Sequence, residues 1–370
     1  MRICYIVADY FKWGQFGGYG VITRALAEGL VERGHEVSAL VPKRTEQAKR
    51  EQRDVERVEG VRVFGLPHSY AQRLRRRDIY RRPEADLYVS VDARFDSWLA
   101  MRMNPRARHC IWFIDVMDFE TFWNQHNEDP AGAGPLAKLR TRAILTGLQR
   151  FARRAARRAD AVFSQPHELP AYARAFYGPD AAVRFAPNPV AVPSGEIVKS
   201  ERPLVLFLAR FDWQKQPETF FALAERFPDV EFVAAGAAAD RARDADLRSR
   251  FPRVANLTLP GVVVGAEKDA LLRRAWILCN TSLREGLPRS FQEAMAYRCA
   301  LVAAVDPDRV VSRFGYHAAG RDFAAGLRTL FDGERWRELG RAGQEYIRAN
   351  YERERALDVH EALYRQVLSE

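Results

Sequence analysis

The sequence predicts an α/β protein of two doubly wound parallel-sheet domains, on three observations. Short apolar runs of strand length alternate with longer amphipathic stretches. The alternation breaks once, at Pro187-Asn188-Pro189-Val190-Ala191-Val192-Pro193-Ser194-Gly195, and then restarts. The length, 370 residues, suits two domains at roughly 100–200 residues each.

Residues 2–8 read as the first strand and 21–33 as a helix, which Gly34 ends as a C-terminal cap. The runs 36–41, 61–65, 86–91 and 108–114 follow as strands, and 161–164 and 182–186 complete the first half. Strands separated by helices build βαβ units, hence a parallel sheet covered on both faces. The proline-rich stretch is the linker. Beyond it, 204–209, 230–236, 257–259, 277–280 and 301–304 form a second sheet, and 333–350 and 352–370 are amphipathic helices. The expected domains are Rossmann-like, at 1–190 and 191–350, with 351–370 a closing helix that packs back toward the first. Open α/β sheets bind ligands beyond the carboxyl ends of their strands, so the expected site is a cleft between the two sheets.

Composition narrows the function classes. With 47% hydrophobic and 29% charged residues, the chain has no run near the ~20 apolar residues of a membrane span. The apolar start is too short for a signal-peptide core and lacks a small-residue cleavage site, so a cytoplasmic protein is expected. Cys4, Cys110, Cys279 and Cys299 lie far apart, without metal-ligand or redox spacing, and read as small core hydrophobes. A net charge of +10 points to an anionic partner. A nucleotide, a polyanionic glycan, nucleic acid and an acidic membrane all satisfy it.

The sharpest signal is Glu285-Gly286-Leu287-Pro288-Arg289-Ser290-Phe291-Gln292-Glu293-Ala294-Met295-Ala296, which follows a strand and opens a helix. Pro288 suits the first helical position. The amides of Arg289, Ser290 and Phe291 then point out of a helix start, an anion site reinforced by the helix dipole. Glu293 lies a turn further on, placed to accept ribose hydroxyls, and Glu285 sits in the loop before. A capped helix with two solvated glutamates has the same pattern.

This segment closely resembles the E-x7-E signature of family 4 retaining glycosyltransferases, which have the GT-B architecture. Further stretches match in order. Gly17-Gly18-Tyr19-Gly20 and Arg33-Gly34-His35-Glu36-Val37 resemble the family's N-terminal glycine loop and its RGHEV stretch. Ala159-Asp160-Ala161-Val162-Phe163-Ser164 resembles its AD-x-V-x-x-S strand. Ala186-Pro187-Asn188-Pro189-Val190 resembles its PNGV linker, with Pro189 in place of Gly. Phe207-Leu208-Ala209-Arg210 followed by Trp213-Gln214-Lys215 resembles its GR…K element.

The resemblance implies transfer of a sugar from a nucleotide-diphosphate sugar, with retention, to a glycan, lipid-linked or small-molecule acceptor. It assigns ribose binding to Glu293, sugar contact to Glu285, and the diphosphate to Arg210 and Lys215. Gly17 and Gly18 become a wall near the donor phosphate or the acceptor. The N-terminal domain becomes the acceptor side and the C-terminal domain the donor side. Where many relatives carry His-Asp, this chain has Ile114-Asp115, so Asp115 is left as the polar group there. A phosphorylase, a sugar-nucleotide epimerase and a non-catalytic basic binding protein are the alternatives on such a scaffold.

Two Asp pairs, Asp244-Ala245-Asp246 and Asp306-Pro307-Asp308, imitate a metal-binding D-x-D. Hard cations need several oxygens held together, and neither pair offers more than two, so no metal or other cofactor is expected. Basic runs occur at Arg73-Leu74-Arg75-Arg76-Arg77 with Arg81-Arg82, and at 138–158. In the second, Lys138, Arg140, Arg142, Arg150, Arg153, Arg154, Arg157 and Arg158 line one face, and Leu136, Leu139, Leu148, Phe151 and Ala155 the other. A solvated face on a sheet-covering helix and a peripheral contact with the anionic inner face of a membrane both fit this pattern. The basic runs lack interleaved aromatics for base stacking, so no nucleic-acid partner is expected.

Overall fold

The computed structural model describes residues 1–10, 17–43, 54–116, 123, 134–178, 182–250 and 254–370. The chain divides into two compact units: Met1–Pro189 with Glu354–Glu370, and Val190–Arg353.

Unit 1 is built on strands β1 (Arg2–Ile6), β2 (Glu36–Pro42), β3 (Val55–Val58), β4 (Val61–Leu66), β5 (Leu87–Val91), β6 (Arg108–Phe113), β7 (Ala161–Ser164) and β8 (Val183–Phe185). Among the described residues they form one sheet in the order β3-β4-β2-β1-β5-β6-β7-β8. All pairs are parallel except β3–β4. The sequence hides β3 because it is an edge strand with three of its four residues exposed. Helices α1 (Gly18–Glu32), α2 (Tyr70–Arg75), α3 (Phe95–Met103), α4 (Pro135–Arg158) and α5 (Leu169–Tyr177) cover the sheet. Gly34 stops α1 at φ +82°, a conformation open to glycine and strained for most residues. The four cysteines are free and buried.

Unit 2 repeats the plan with β9 (Leu204–Leu208), β10 (Glu231–Ala235), β11 (Leu257–Gly261), β12 (Ile277–Asn280), β13 (Ala300–Ala303) and β14 (Gly315–His317). Their order is β11-β10-β9-β12-β13-β14, all parallel. Helices α6 (Pro217–Glu225), α7 (Arg241–Arg250), α8 (Gly265–Arg274), α9 (Arg289–Ala296), α10 (Val310–Phe314), α11 (Phe323–Phe331) and α12 (Arg335–Asn350) complete it.

The last helix, α13 (Arg353–Ser369), returns to unit 1, where Leu357, Tyr364 and Val367 join the same core cluster as Ile3, Tyr5 and Leu26. His360 Nε2 donates to the Pro187 carbonyl at 2.9 Å. Its Nδ1 therefore accepts from the Tyr364 hydroxyl at 3.0 Å, and that oxygen accepts from Tyr5 at 3.2 Å.

Two details of the sequence reading need correction. In α4, Leu148, Phe151 and Ala155 face inward, and Phe151 packs on Trp98 with ring centroids 4.6 Å apart. Leu136 and Leu139, expected on the same inner face, are 81% and 66% exposed. The 24 residues of α4 run ~36 Å, about twice the span of the strands beneath, so its first turns outreach the sheet. Arg73 leaves the basic surface cluster altogether and is buried in an ion pair with Asp96.

Candidate functional site

In each sheet the strand order reverses at one point, between β1 and β5 in unit 1 and between β9 and β12 in unit 2. On either side of such a point the crossover helices cover opposite faces, which opens a crevice at the strands' carboxyl ends. The chemistry-bearing residues of each unit gather there.

In unit 2, β9 runs out into Arg210, and a single 3-10 turn, Trp213–Lys215, follows. β12 runs out into Asn280, Thr281 and Ser282, then the loop to α9. Lys215 Nζ donates to both oxygens of Glu285, at 2.7 and 2.8 Å. Asn280 Nδ2 and the Ser282 hydroxyl add 3.2 and 2.7 Å bonds to the same Oε1. The Thr281 hydroxyl donates to the carbonyls of Lys215 and Gln216, which ties the two loops together. Glu285 and Lys215 are mostly shielded, with side-chain exposures of 10% and 16%. In such surroundings a bond between charged groups is stronger than a neutral one.

The second glutamate has its own cations. Lys268 Nζ and Arg289 Nε donate to Glu293 Oε1 at 2.8 and 3.0 Å. Both use the same oxygen, and among the described residues nothing donates to Oε2. Burial pushes the Glu293 carboxyl up, but Arg289 and Lys268 outweigh it and hold it below the usual carboxylate range. It is therefore an acceptor at neutral pH, with one oxygen in reserve.

The helix start differs from expectation by one residue. Pro288 is the N-cap, and Arg289 is the first helical residue. The Phe291 amide bonds back to the Pro288 carbonyl at 3.0 Å, so it is not available to an anion. Ser290 remains in the first turn, where an amide has no intrahelical acceptor. Arg210, half exposed, pairs with Asp212 at 2.8 Å.

In unit 1 the structure gives the glycine loop a concrete task. A Cβ on Gly17 would lie 2.6 Å from Asp9 Oδ2, and one on Gly20 would lie 3.0 Å from the Asp9 carbonyl oxygen. The Gly20 amide donates to Asp9 Oδ2 at 3.3 Å. Gly17 and Gly20 are thus small to admit Asp9, whereas a Cβ on Gly18 would meet nothing within 4 Å. Asp115 follows β6 and lines a cavity with Asp92, Arg94 and Asp96. Asp92 Oδ1 accepts from the Ile114 amide at 2.9 Å. Burial lifts the Asp92 carboxyl to about 6, against the opposing pull of Arg94 and that amide.

Residues 17–189 match the family described as glycosyl transferase 4-like domain, and residues 194–309 match glycosyl transferases group 1. The chain is a glycosyltransferase of the GT-B type. It superposes on sucrose-phosphate synthase from Thermosynechococcus elongatus over 99% of each chain, with a TM-score of 0.77 and 18% identity. The catalytic domain of starch synthase IV from Arabidopsis thaliana, bound to ADP and acarbose, matches over 100% of this chain and 99% of that one, with a TM-score of 0.64 and 14% identity. WaaG, a glycosyltransferase involved in lipopolysaccharide biosynthesis, matches over 96% and 99%, with a TM-score of 0.66 and 14% identity. At these identities the likeness is one of fold. No curated protein sequence matches the chain significantly.

On this glycosyltransferase the sequence reading missed the groups that hold the glutamates: Asn280, Ser282 and Lys268. Asn280 and Ser282 carried a signal, being polar residues straight after an apolar strand. Lys268 carried none, because only the fold brings α8 beside α9. Each Asp pair has local work. Asp306 Oδ1 accepts from the amides of Val311 and Ser312 at 2.7 and 3.1 Å. Asp244 accepts from the Ala238 amide and Arg248, and Asp246 pairs with Arg250. Among the described residues, no three of His, Cys, Asp and Glu come together as a metal would need. Among them also, no helix is long and apolar enough to cross a membrane.

Proposed function

We propose that this transferase moves a sugar from a nucleoside-diphosphate sugar to a glycan, lipid-linked or small-molecule hydroxyl, with retention and without a metal ion. The observation that carries the reading is the pair of held glutamates flanking one helix start at the β9/β12 reversal. A diphosphate needs cations and amides; Arg210, Lys215 and the first turn of α9 supply them. A ribose needs a carboxylate oxygen with no prior donor, and among the described residues Glu293 Oε2 has none. The ADP in starch synthase IV supports a nucleoside diphosphate as the donor's carrier. Glu285 serves the transferred sugar. Its Oε1 already accepts three donors, so a sugar hydroxyl enters by displacing the rotatable Ser282 hydroxyl.

Retention follows from same-face displacement. The acceptor oxygen attacks the anomeric carbon on the side from which the nucleoside diphosphate departs. The departing phosphate oxygen takes the acceptor's proton. Negative charge grows on that phosphate as the glycosidic bond breaks, and fixed cations stabilise it more in the transition state than in the ground state.

Melting curves with UDP, GDP, ADP and dTDP, in excess EDTA, test the reading. One nucleotide raises Tm by mass action, and its sugar conjugate is hydrolysed in the same buffer. No shift with any of the four at saturating concentration overturns it. Hydrolysis only when magnesium or manganese is restored removes metal independence alone.

A further inference from the structure

The chain enters unit 2 through residues 190–203, and one side chain of that segment holds the ends of two helices that carry the proposed donor site. Lys199 Nζ donates to the carbonyls of Leu272 at 3.4 Å, Tyr297 at 2.7 Å and Ala275, and lies 3.5 Å from Cys299 Sγ. Leu272 is in the last turn of α8 and Ala275 is its C-cap, while Tyr297 is the C-cap of α9. The last carbonyls of a helix have no donor within it, and they carry the negative end of its dipole. Two such ends drawn to one point repel each other, and a cation between them turns repulsion into attraction. Among the described residues no carboxylate pairs with Lys199, so these carbonyls are what hold it. Burial pulls its ammonium below the usual lysine range, and Arg298 pulls the same way.

The segment around Lys199 is stitched to the same end of α8. Arg273 Nη1 donates to the Glu196 carbonyl at 3.3 Å, and the Ser200 amide donates to the Arg274 carbonyl at 3.1 Å. Trp276 Nε1 donates to the Ser200 carbonyl at 2.9 Å.

The two helices meet again nearer the donor site. Asp269 accepts from the Tyr297 hydroxyl, the Arg273 guanidinium lies 5.5 Å from the Tyr297 ring, and Lys268 reaches Glu293 at 2.8 Å. Residues four apart share a helix face, so Leu272 lies one turn beyond Lys268 and Tyr297 one turn beyond Glu293. Lys199 thus grips, one turn away, the same two faces that meet at the Lys268–Glu293 pair. We infer that Lys199 is a positioning residue for nucleotide binding: it fixes α8 against α9 and so sets Lys268 on Glu293. It touches no ligand itself, and its effect on a nucleotide rests on the donor-site reading above. Binding is reciprocal, so a ligand that reaches Glu293 also steadies residues 196–200.

Calorimetry on the full chain tests this, with the nucleoside diphosphate that raises wild-type Tm and with inorganic pyrophosphate, which has no ribose. Lys199→Met keeps the reach of the side chain and removes its donors. It should weaken the nucleoside diphosphate by about three- to thirtyfold, the scale for a residue without ligand contact, and leave pyrophosphate within about twofold. Lys268→Met should weaken the nucleoside diphosphate as well. The double variant should bind little worse than Lys268→Met, because both residues act through one pair. Unchanged affinity in Lys199→Met, additive losses in the double variant, or equal weakening of both ligands overturns the inference. If Lys199→Met does not melt cooperatively, hydrogen exchange in the wild type decides. There the nucleoside diphosphate should slow exchange of the Ser200 amide more than pyrophosphate does at equal saturation, and equal protection overturns the inference. Wild-type protein that binds no nucleoside diphosphate overturns the transferase reading and this inference together. Binding that is indifferent to Lys199 overturns the inference alone.

Discussion

Lys215 Nζ bridges both carboxylate oxygens of Glu285, at 2.7 and 2.8 Å, so the cation proposed for the diphosphate and the carboxylate proposed for the sugar form one unit. Neither can be altered without changing the charge state of the other's surroundings. Lys215→Ala should cut kcat by about 10²–10³, the usual effect of losing one preorganised group, with a smaller change in donor KM. It should also lower Tm, since a shielded Glu285 is left without its cation. The double variant with Glu285→Ala should lose much less than the sum of the two single losses. Additive losses would show that the pair does not act as a unit. Arg210→Ala should act on kcat alone, its partner Asp212 being more exposed, and Arg210→Lys should rescue it only in part. Steady-state kinetics with Arg210→Ala within a few-fold of wild type would assign Arg210 to the surface.

Glu293→Ala has two opposed effects that one titration separates. It removes the ribose acceptor and one carboxylate that Lys268 and Arg289 share. Binding of the nucleoside diphosphate should weaken by about tenfold or more, the scale of a lost charge-assisted bond. Binding of inorganic pyrophosphate should hold steady or strengthen. Parallel weakening of both ligands would mean that Glu293 supports the helix start rather than a ribose.

The glycine loop predicts an unequal pair of substitutions. Gly17→Ala drives a methyl group to 2.6 Å from Asp9 Oδ2 and should lower Tm clearly. Gly18→Ala meets open space, so stability should stay within about 0.5 kcal/mol. A loss of donor or acceptor affinity in Gly18→Ala, with Tm unchanged, would place a ligand against that residue. Unaltered Tm in Gly17→Ala would contradict the packing described here.

Acid should loosen unit 1 through His360. Burial pulls its imidazole from 6.5 down to about 4, against the opposing Pro187 carbonyl. The fold keeps it neutral while the unfolded chain gains a proton below 6.5, so stability falls as pH drops from 6.5 toward 4, by at most about 3 kcal/mol. Asp92 has the opposite sign. Its carboxyl is raised from 3.8 to about 6, so its stability contribution is present at low pH and is lost as pH rises through 6. Denaturant unfolding at pH 7 and 4.5 should therefore show a smaller acid loss in His360→Gln than in wild type. Equal losses in the two proteins would remove His360 from the account.

Leu136 and Leu139 are exposed next to Lys138, Arg140 and Arg142, so a membrane contact through α4 is open to a direct test. Vesicles with anionic lipid should sediment the protein at low salt and release it at high salt, and Leu136→Ser with Leu139→Ser should weaken the binding. Sedimentation indifferent to lipid charge would leave a solvated face.

Much of the fold was legible because buried parallel strands are uninterrupted apolar runs, as at Ile3–Val7 or Leu204–Phe207, and because Gly34 announces a helix end. The strands that escaped, β3 and β14, are an exposed edge and a three-residue stub. The helix start between Glu285 and Glu293 was legible from Pro288 after an apolar strand. Lys268 and the Asp92–Asp115 grouping were not, because those approaches are made by the sheet's crossings between residues distant in sequence. Arg73 misled because an arginine among arginines looks solvated until the fold supplies Asp96.

The return of α13 to unit 1 has a consequence for biosynthesis. A ribosome finishes Val190–Arg353 before it makes Leu357, His360 and Tyr364, which fill the core around Ile3, Tyr5 and Leu26. The half made first must wait, its apolar groove uncovered, while the half made second is free to fold. Domains generally fold in the order of their synthesis. Here the order should invert, so ribosome-arrested chains ending before residue 354 should present a protease-resistant second unit attached to a labile first one.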